Sequence, residues 1–255
     1  MVQDAEQIDP FDTNNSDYWI KIEHLGRYLF VKNFLLSHRE IDVVMDIAAG
    51  YGYGTELLSK ISGKVISLEN NPEMLKQLNL QFQNVQTIDV YQHDLERENL
   101  LQKKQLQKAD LIVSFETLEH LENPWKNIIE FYEILRGEGY LILSVPNERF
   151  EKVDAGGVPK SEFHKTLLKK EDIENYLQDT GFKIVGKYGQ ALLNSLMKKE
   201  NKLLRNRIIR NRFSAIETLH ERKNMMKSAC LFAYPDEENI EESYSRIYIA
   251  QKVEK

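Results

Sequence analysis

Three glycines, Gly50, Gly52 and Gly54, fall within five residues of the stretch DIAAGYGYGT at 46–55, after an apolar run and before an amphipathic one. Glycine at such a place permits a tight turn and lets a ligand approach the backbone. Two carboxylates frame the loop. Asp46 stands at the end of the preceding run, where a carboxylate can orient the cationic part of a ligand. Glu69 ends the next apolar run, 19 residues after Gly50, close to the roughly 20-residue offset of an acid that accepts hydrogen bonds from a ribose. The spacing Gly-x-Gly-x-Gly departs from the G-x-G-x-x-G of dinucleotide sites, and no basic residue aimed at a pyrophosphate accompanies it. This points to a nucleoside without phosphates and away from a nicotinamide-dependent oxidoreductase.

A second set of residues suits acid–base or metal chemistry. His120 follows an apolar run, ADLIVS at 109–114, and His164 lies in SEFHK at 161–165. Both belong to the carboxyl edge of the strands, where ligands bind in open α/β sheets. In Glu116-x-x-Glu119-His120 a helical turn would put three side chains on one face. With His164 that makes two carboxylates and two imidazoles, a donor set for Mg²⁺, Mn²⁺, Fe²⁺ or Zn²⁺. The plainer alternative is that each histidine orders its own loop through a hydrogen bond.

These residues need a frame. From Ile41 onward short apolar runs alternate with amphipathic stretches. Strands are expected at Asp42–Ile47, Lys64–Leu68, Val85–Asp89, Ala109–Ser114 and Gly139–Val145, with helices near Tyr53–Ile61, Pro72–Leu80, Leu100–Gln107 and Pro124–Leu135. Such alternation implies right-handed crossovers and a mostly parallel sheet. A helix over 171–180 ends at Gly181 and leads to a strand at Phe182–Tyr188, and Ser243–Gln251 alternates like a terminal edge strand. Upstream, apolar residues at Trp19, Ile22, Leu25 and Leu29 predict a helical arm over 17–36, with Gly26 as its weak point.

The ordered set resembles the class I S-adenosylmethionine-dependent methyltransferases. Asp46-x-Ala48-x-Gly50-x-Gly52-x-Gly54 looks like their first motif, whose loop wraps the methionine part of the cofactor. Glu69, followed by Asn70, matches their ribose acid. Asp94, followed by Leu95, matches the residue that faces the adenine amino group. Residues 109–124 and 135–147 resemble their fourth strand with its turn, including Phe115 and Glu116, and their fifth strand. The resemblance covers about Ile41 to Asn147 and returns at 182–188 and 243–251. It implies S-adenosylmethionine as cofactor and a Rossmann-like, doubly wound α/β fold with a seven-stranded sheet, its last strand antiparallel. The arm would lie over the cofactor, with Tyr18, Arg27 or Tyr28 on its carboxylate or amine; packing within the arm is the equal alternative. The histidine–carboxylate pattern resembles that of ubiquinone-pathway O-methyltransferases and of small-RNA 2′-O-methyltransferases, and also occurs in relatives without metal. Asn/Asp-Pro-Pro-Tyr, expected of enzymes that methylate the amino groups of bases, is absent after Ser114.

Methyl transfer is an in-line displacement at a sulfonium carbon, so alignment supplies much of the rate. His120 and His164 are the candidate acid–base residues, and Glu116, Glu119, His120 and His164 the candidate metal ligands. The expected division is a helical arm over 1–40 and a methyltransferase domain over 41–255, with a helical insertion at 190–242 that serves as acceptor lid or oligomer contact. Within it, residues 198–212 carry seven basic side chains against one acidic, among them Arg205, Arg207, Arg210 and Arg212, read as a solvated face or a phosphate-binding patch.

Composition narrows the rest. The 255-residue chain carries a formal net charge of -6, unlike a general nucleic-acid binder. Its single cysteine, Cys230, excludes an internal disulfide and suits a reducing cytoplasm. No apolar run approaches the roughly 18 residues of a spanning helix, and the acidic first ten residues are unlike a secretory leader. The expected acceptor is a small molecule, sugar or biosynthetic intermediate, met by a monomer or homodimer. The rivals are a metal-assisted RNA 2′-O-methyltransferase and a cofactor-binding module without catalysis.

Overall fold

The computed structural model describes residues 8–12, 18–38, 40–192, 221–238 and 240–253. Seven strands form one sheet: β1 (Val43–Ile47), β2 (Lys64–Glu69), β3 (Ile88–Gln92), β4 (Ala109–Phe115), β5 (Leu135–Pro146), β6 (Phe182–Leu192) and β7 (Ser243–Lys252), in the order β3-β2-β1-β4-β5-β7-β6. Every position of β1 is buried, as expected of a parallel strand covered by helices on both faces. β7 alone runs antiparallel, pairing with β5 on one side and β6 on the other. Ser243–Gln251 is therefore an inner strand rather than the expected edge. It inserts between β5 and β6, and β6 takes the edge.

Helices sheathe both faces. On one lie α1 (Tyr18–Ser37), α2 (Tyr53–Leu58), α3 (Pro72–Phe82) and α6 (Arg222–Phe232); on the other lie α4 (Pro124–Ile134) and α5 (Lys170–Thr180). Local chemistry sets their ends. Asn71 caps α3 by accepting from the Glu73 and Met74 amides at 2.9 and 3.3 Å, with Pro72 in the first turn. Met74, Leu78 and Phe82, at i+4 steps, then face inward. α5 stops at Gly181, whose φ of 113° continues the chain in the left-handed region.

Three expectations shift. The third strand starts at Ile88, because Phe82–Val85 closes a turn after α3. The helix expected at Leu100–Gln107 is a single 3₁₀ turn, Leu100–Gln102. Gly26 is no weak point: a Cβ there would sit 2.0 Å from the Ala233 carbonyl oxygen, so glycine is what lets α1 close on the end of α6. The sheet order reverses between β1 and β4, which opens the crevice that holds the site.

Candidate functional site

A cleft of about 460 Å³ lies at that crossing point, walled by the carboxyl ends of β1 to β4, by α1 and by the 162–165 loop. Its size is that of a small-molecule site. The three glycines turn out to serve three ends. Gly50, at φ 55°, faces open space. Gly52, at φ 76°, begins α2, and a Cβ there would meet Leu78 at 2.4 Å; Gly54 leaves room for the Tyr28 ring, 2.1 Å from where its Cβ would be. Of the sequence-derived site residues, Arg27, Tyr28, Ala48, Gly50, Glu69, Asn70, Asp94, Leu95, Phe115, Glu116 and His120 line the cleft. Tyr18 belongs to α1, but its side chain lies outside the described residues, as does the basic segment 198–212.

Glu69 is fixed before any ligand arrives. Its Oε2 accepts from the Gly50 amide at 2.8 Å, and its Oε1 from the Asn70 and Asn71 amides at 2.9 and 2.8 Å. A carboxylate has about four lone-pair sites, so with three taken about one remains, on Oε2, for a bound diol. Asp94 uses Oδ1 to hold the turn after β3, accepting from Glu96 and Arg97 amides at 2.9 and 3.2 Å.

Asp46 departs from expectation. It is fully buried, accepts from Tyr28 Oη at 2.8 Å and Thr55 Oγ1 at 2.6 Å, and is not among the cleft-lining residues. Its carboxyl therefore anchors α1 to the glycine loop, not the cation of a ligand. Burial pushes its pKa up to about 6, against the pull of the Thr55 and Tyr28 hydrogen bonds. Tyr28 is raised too, mainly by burial and then by the Asp46 charge, so it stays a hydroxyl donor.

α1 brings His24, Arg27 and Tyr28 to the cleft. Arg27, 4% exposed, donates to Gln190 Oε1 at 3.0 Å; Gln190 in turn donates to the Glu23 and Ala233 carbonyls at 2.8 and 2.7 Å. His24 Nδ1 lies 2.7 Å from the Tyr53 hydroxyl, and both line the cleft with Ile8, Tyr51, Met74 and His93. Glu96, Glu162, Phe163 and Lys165 were also missed. They come from loops that only tertiary pairing brings together: Lys165 binds both Glu96 oxygens, at 3.0 and 2.8 Å.

The histidines converge. The backbone amides of Lys165 and Thr166 donate to the Glu119 carbonyl at 2.8 and 3.1 Å, drawing the 161–168 loop onto the turn after β4. His120 and His164 then meet edge to face, ring centroids 5.2 Å apart. His120 Nδ1 lies 3.0 Å from the Phe163 carbonyl, which fixes that nitrogen as a donor, and His164 Nδ1 lies 3.0 Å from Glu151 Oε2. His120 faces the cleft, whereas His164 lines a small recess behind it with Glu119, Glu148 and Glu151. Ligand atoms of Glu119, His120 and His164 lie within 4.8 Å of one another, a donor set that fits a divalent metal. Glu116 is not in that group. Its φ of 43° and a 3₁₀ turn at Leu118–His120 replace the expected helical turn, and its Oε1 accepts from Ser144 Oγ at 2.6 Å inside the cleft wall.

Known proteins agree with this frame. Residues 45–143 match a family described as a methyltransferase domain. A probable S-adenosylmethionine-dependent methyltransferase of Mycobacterium tuberculosis is 24% identical over 171 residues, 67% of this chain and 58% of that protein. The chain thus spans less than two thirds of that relative. A mitochondrial ubiquinone biosynthesis O-methyltransferase of Dictyostelium discoideum is 24% identical over 220 residues, 70% of this chain and 68% of that one. Among solved structures, magnesium protoporphyrin IX methyltransferase from Synechocystis with bound demethylated cofactor superposes with a TM-score of 0.59 at 16% identity, covering 95% of this chain and 91% of that one.

Proposed function

We propose that this chain, whose residues 45–143 match a family described as a methyltransferase domain, is a class I S-adenosylmethionine-dependent enzyme that moves the cofactor's methyl group to an oxygen or nitrogen of a small molecule, sugar or biosynthetic intermediate. The observation that carries the reading is one cleft that holds Glu69, pre-ordered by three amides, and His120 on its walls. In this reading Glu69 takes the ribose hydroxyls, Asp94 and Leu95 flank the adenine, and the 48–50 loop with Arg27 and Tyr28 holds the methionine end. The acceptor enters over His120 and Phe163. Alignment then supplies roughly 7–11 kcal/mol of the barrier, and His120 takes the proton of a hydroxyl acceptor. The arm over 1–40 and the domain over 41–255, with its 190–242 insertion, complete the proposed organisation, in a cytoplasmic monomer or homodimer.

Charge supports the acceptor class. The cleft wall carries Glu69, Asp94, Glu96, Glu116 and Glu162 against Arg27 and Lys165. A negative cleft repels phosphate-rich acceptors, which argues against RNA. The second reading is metal assistance. Glu119, His120 and His164 would hold the ion, which when bound supplies charge stabilisation to an acceptor hydroxylate.

The test is turnover with S-adenosylmethionine and panels of hydroxyl and amine acceptors, with and without chelator. Release of demethylated cofactor that requires an acceptor supports the enzyme; cofactor binding without turnover on any acceptor leaves a binding module instead. Loss of turnover in chelator, restored by one divalent ion, selects the metal reading. Unchanged turnover in chelator with loss in His120→Ala selects the base.

A further inference from the structure

A short hairpin joins the end of β5 to the histidine loop. Across it the Lys160 amide donates to the Lys152 carbonyl at 2.7 Å, and the Asp154 amide to the Val158 carbonyl at 2.9 Å. Asp154 Oδ1 closes the tip by accepting from the Gly156 and Val158 amides at 2.8 and 2.9 Å, and Gly157 takes a left-handed turn position at φ 80°. Ser161 Oγ then accepts from the Phe163 and His164 amides at 3.2 and 3.3 Å. The flanks of the hairpin are drawn together, so Glu151 meets His164 across 13 residues of chain. Local turn chemistry thus delivers a carboxylate to an imidazole.

The contact is close and enclosed. Glu151 Oε2 lies 3.0 Å from His164 Nδ1, with the two side chains only 13% and 9% exposed. Glu148 lines the same recess but is held by Arg246, whereas among the described residues Glu151 forms no ion pair with a lysine or arginine. A carboxylate only accepts, so the proton of a neutral His164 ring sits on Nδ1 and the lone pair on Nε2. His120 is set in the same sense, its Nδ1 donating to the Phe163 carbonyl. Nε2 is then the ligand atom of each ring. Backbone sets the His120 tautomer, and one side chain sets that of His164.

We propose that Glu151 is the positioning residue of the Glu119–His120–His164 donor set. It fixes His164 as the Nδ1–H tautomer, keeps the ring from turning, and leaves Nε2 to a divalent ion. A charged partner on the outer nitrogen also raises the basicity of the ligating one, and losing such a partner costs roughly 10–100-fold in metal affinity. The inference rests on the metal reading above and extends it to a residue outside both the donor set and the cofactor cleft. Glu151 therefore acts on the metal and leaves the cofactor untouched.

The experiment is a titration of the chelator-stripped full chain with Co²⁺, followed by its visible absorption, beside ¹⁵N spectra of the imidazoles in the metal-free protein. The parent should bind Co²⁺ saturably and show His164 protonated at Nδ1. His164→Ala, which assigns that signal, should lose most of the Co²⁺ binding. Glu151→Ala should weaken Co²⁺ about 10- to 100-fold, while its affinity for demethylated cofactor, read by calorimetry, stays at the parent's value. Glu151→Gln should recover part of the loss, because its carbonyl still accepts from Nδ1. Equal Co²⁺ affinity in the parent and Glu151→Ala overturns the proposal and leaves the metal reading standing, as does a parent His164 protonated on Nε2. A loss of cofactor affinity as large as the loss of Co²⁺ affinity would make Glu151 a support of the fold, which also overturns it. A parent that binds no Co²⁺ removes the metal reading, and the proposal falls with it.

Discussion

Asp46 shows how far a strand-end carboxylate can stand from the role its position suggests. Sequence placed it correctly beside the glycine loop, but the direction of its side chain depends on Tyr28, which arrives from a helix 18 residues earlier. Its pKa is raised from 3.8 to about 6, so between those values the native protein keeps a proton that the unfolded chain has released. Stability from this group therefore falls as pH rises through the window, by up to roughly 3 kcal/mol. Asp46→Asn keeps the acceptor for Tyr28 and can donate to Thr55, so its urea stability should lose that slope across about pH 4 to pH 6. An unchanged slope would place the titration elsewhere. The place of Glu69 on the cleft wall was legible because its offset from Gly50 reflects a fixed strand–helix–strand length. Glu69→Ala should weaken cofactor binding at least about tenfold, from lost charge-assisted bonds of roughly 1.5–3 kcal/mol. It should also lower Tm, since the Gly50, Asn70 and Asn71 amides lose their acceptor. Intact cofactor affinity in a folded variant would remove Glu69 from the ribose site.

Elements with a strong period and clear stops were readable: α3 opening at Pro72, α4 opening at Pro124, and α5 closed by Gly181. What failed was set by partners distant in the chain. β7 lies between β5 and β6 through backbone pairing that no local pattern records. The left-handed Glu116 breaks the helical path and only Leu118–His120 winds, as a 3₁₀ turn, which costs the metal set its fourth expected ligand. Gly26 is the instructive case, for helix propensity counts it a defect while packing requires it. Gly26→Ala should gain intrinsic helicity yet destabilise the fold by about 1–3 kcal/mol through overlap with Ala233. Chemical denaturation decides between the two, and a stabilised variant would mean that α1 and α6 are free to move apart. Arg27 should lose order in the same variant, because Gln190 ties it to the Ala233 carbonyl.

Across the whole molecule, one sheet serves two ends. Its crossing point makes the cleft, and β5 leads into the hairpin that carries Glu151 to His164. Among the described residues no helix is long and apolar enough to cross a membrane. A ligand that binds only the native state stabilises it, by about 2.7 kcal/mol at a hundredfold excess over Kd, so Tm should climb with cofactor concentration. Direct titration is more decisive. In calorimetry of the full chain, S-adenosylmethionine and its demethylated product should each bind saturably, while NAD should give no heat above dilution. Binding of NAD with none of S-adenosylmethionine would contradict the account, because the glycine loop, Glu69 and Asp94 would then hold a dinucleotide.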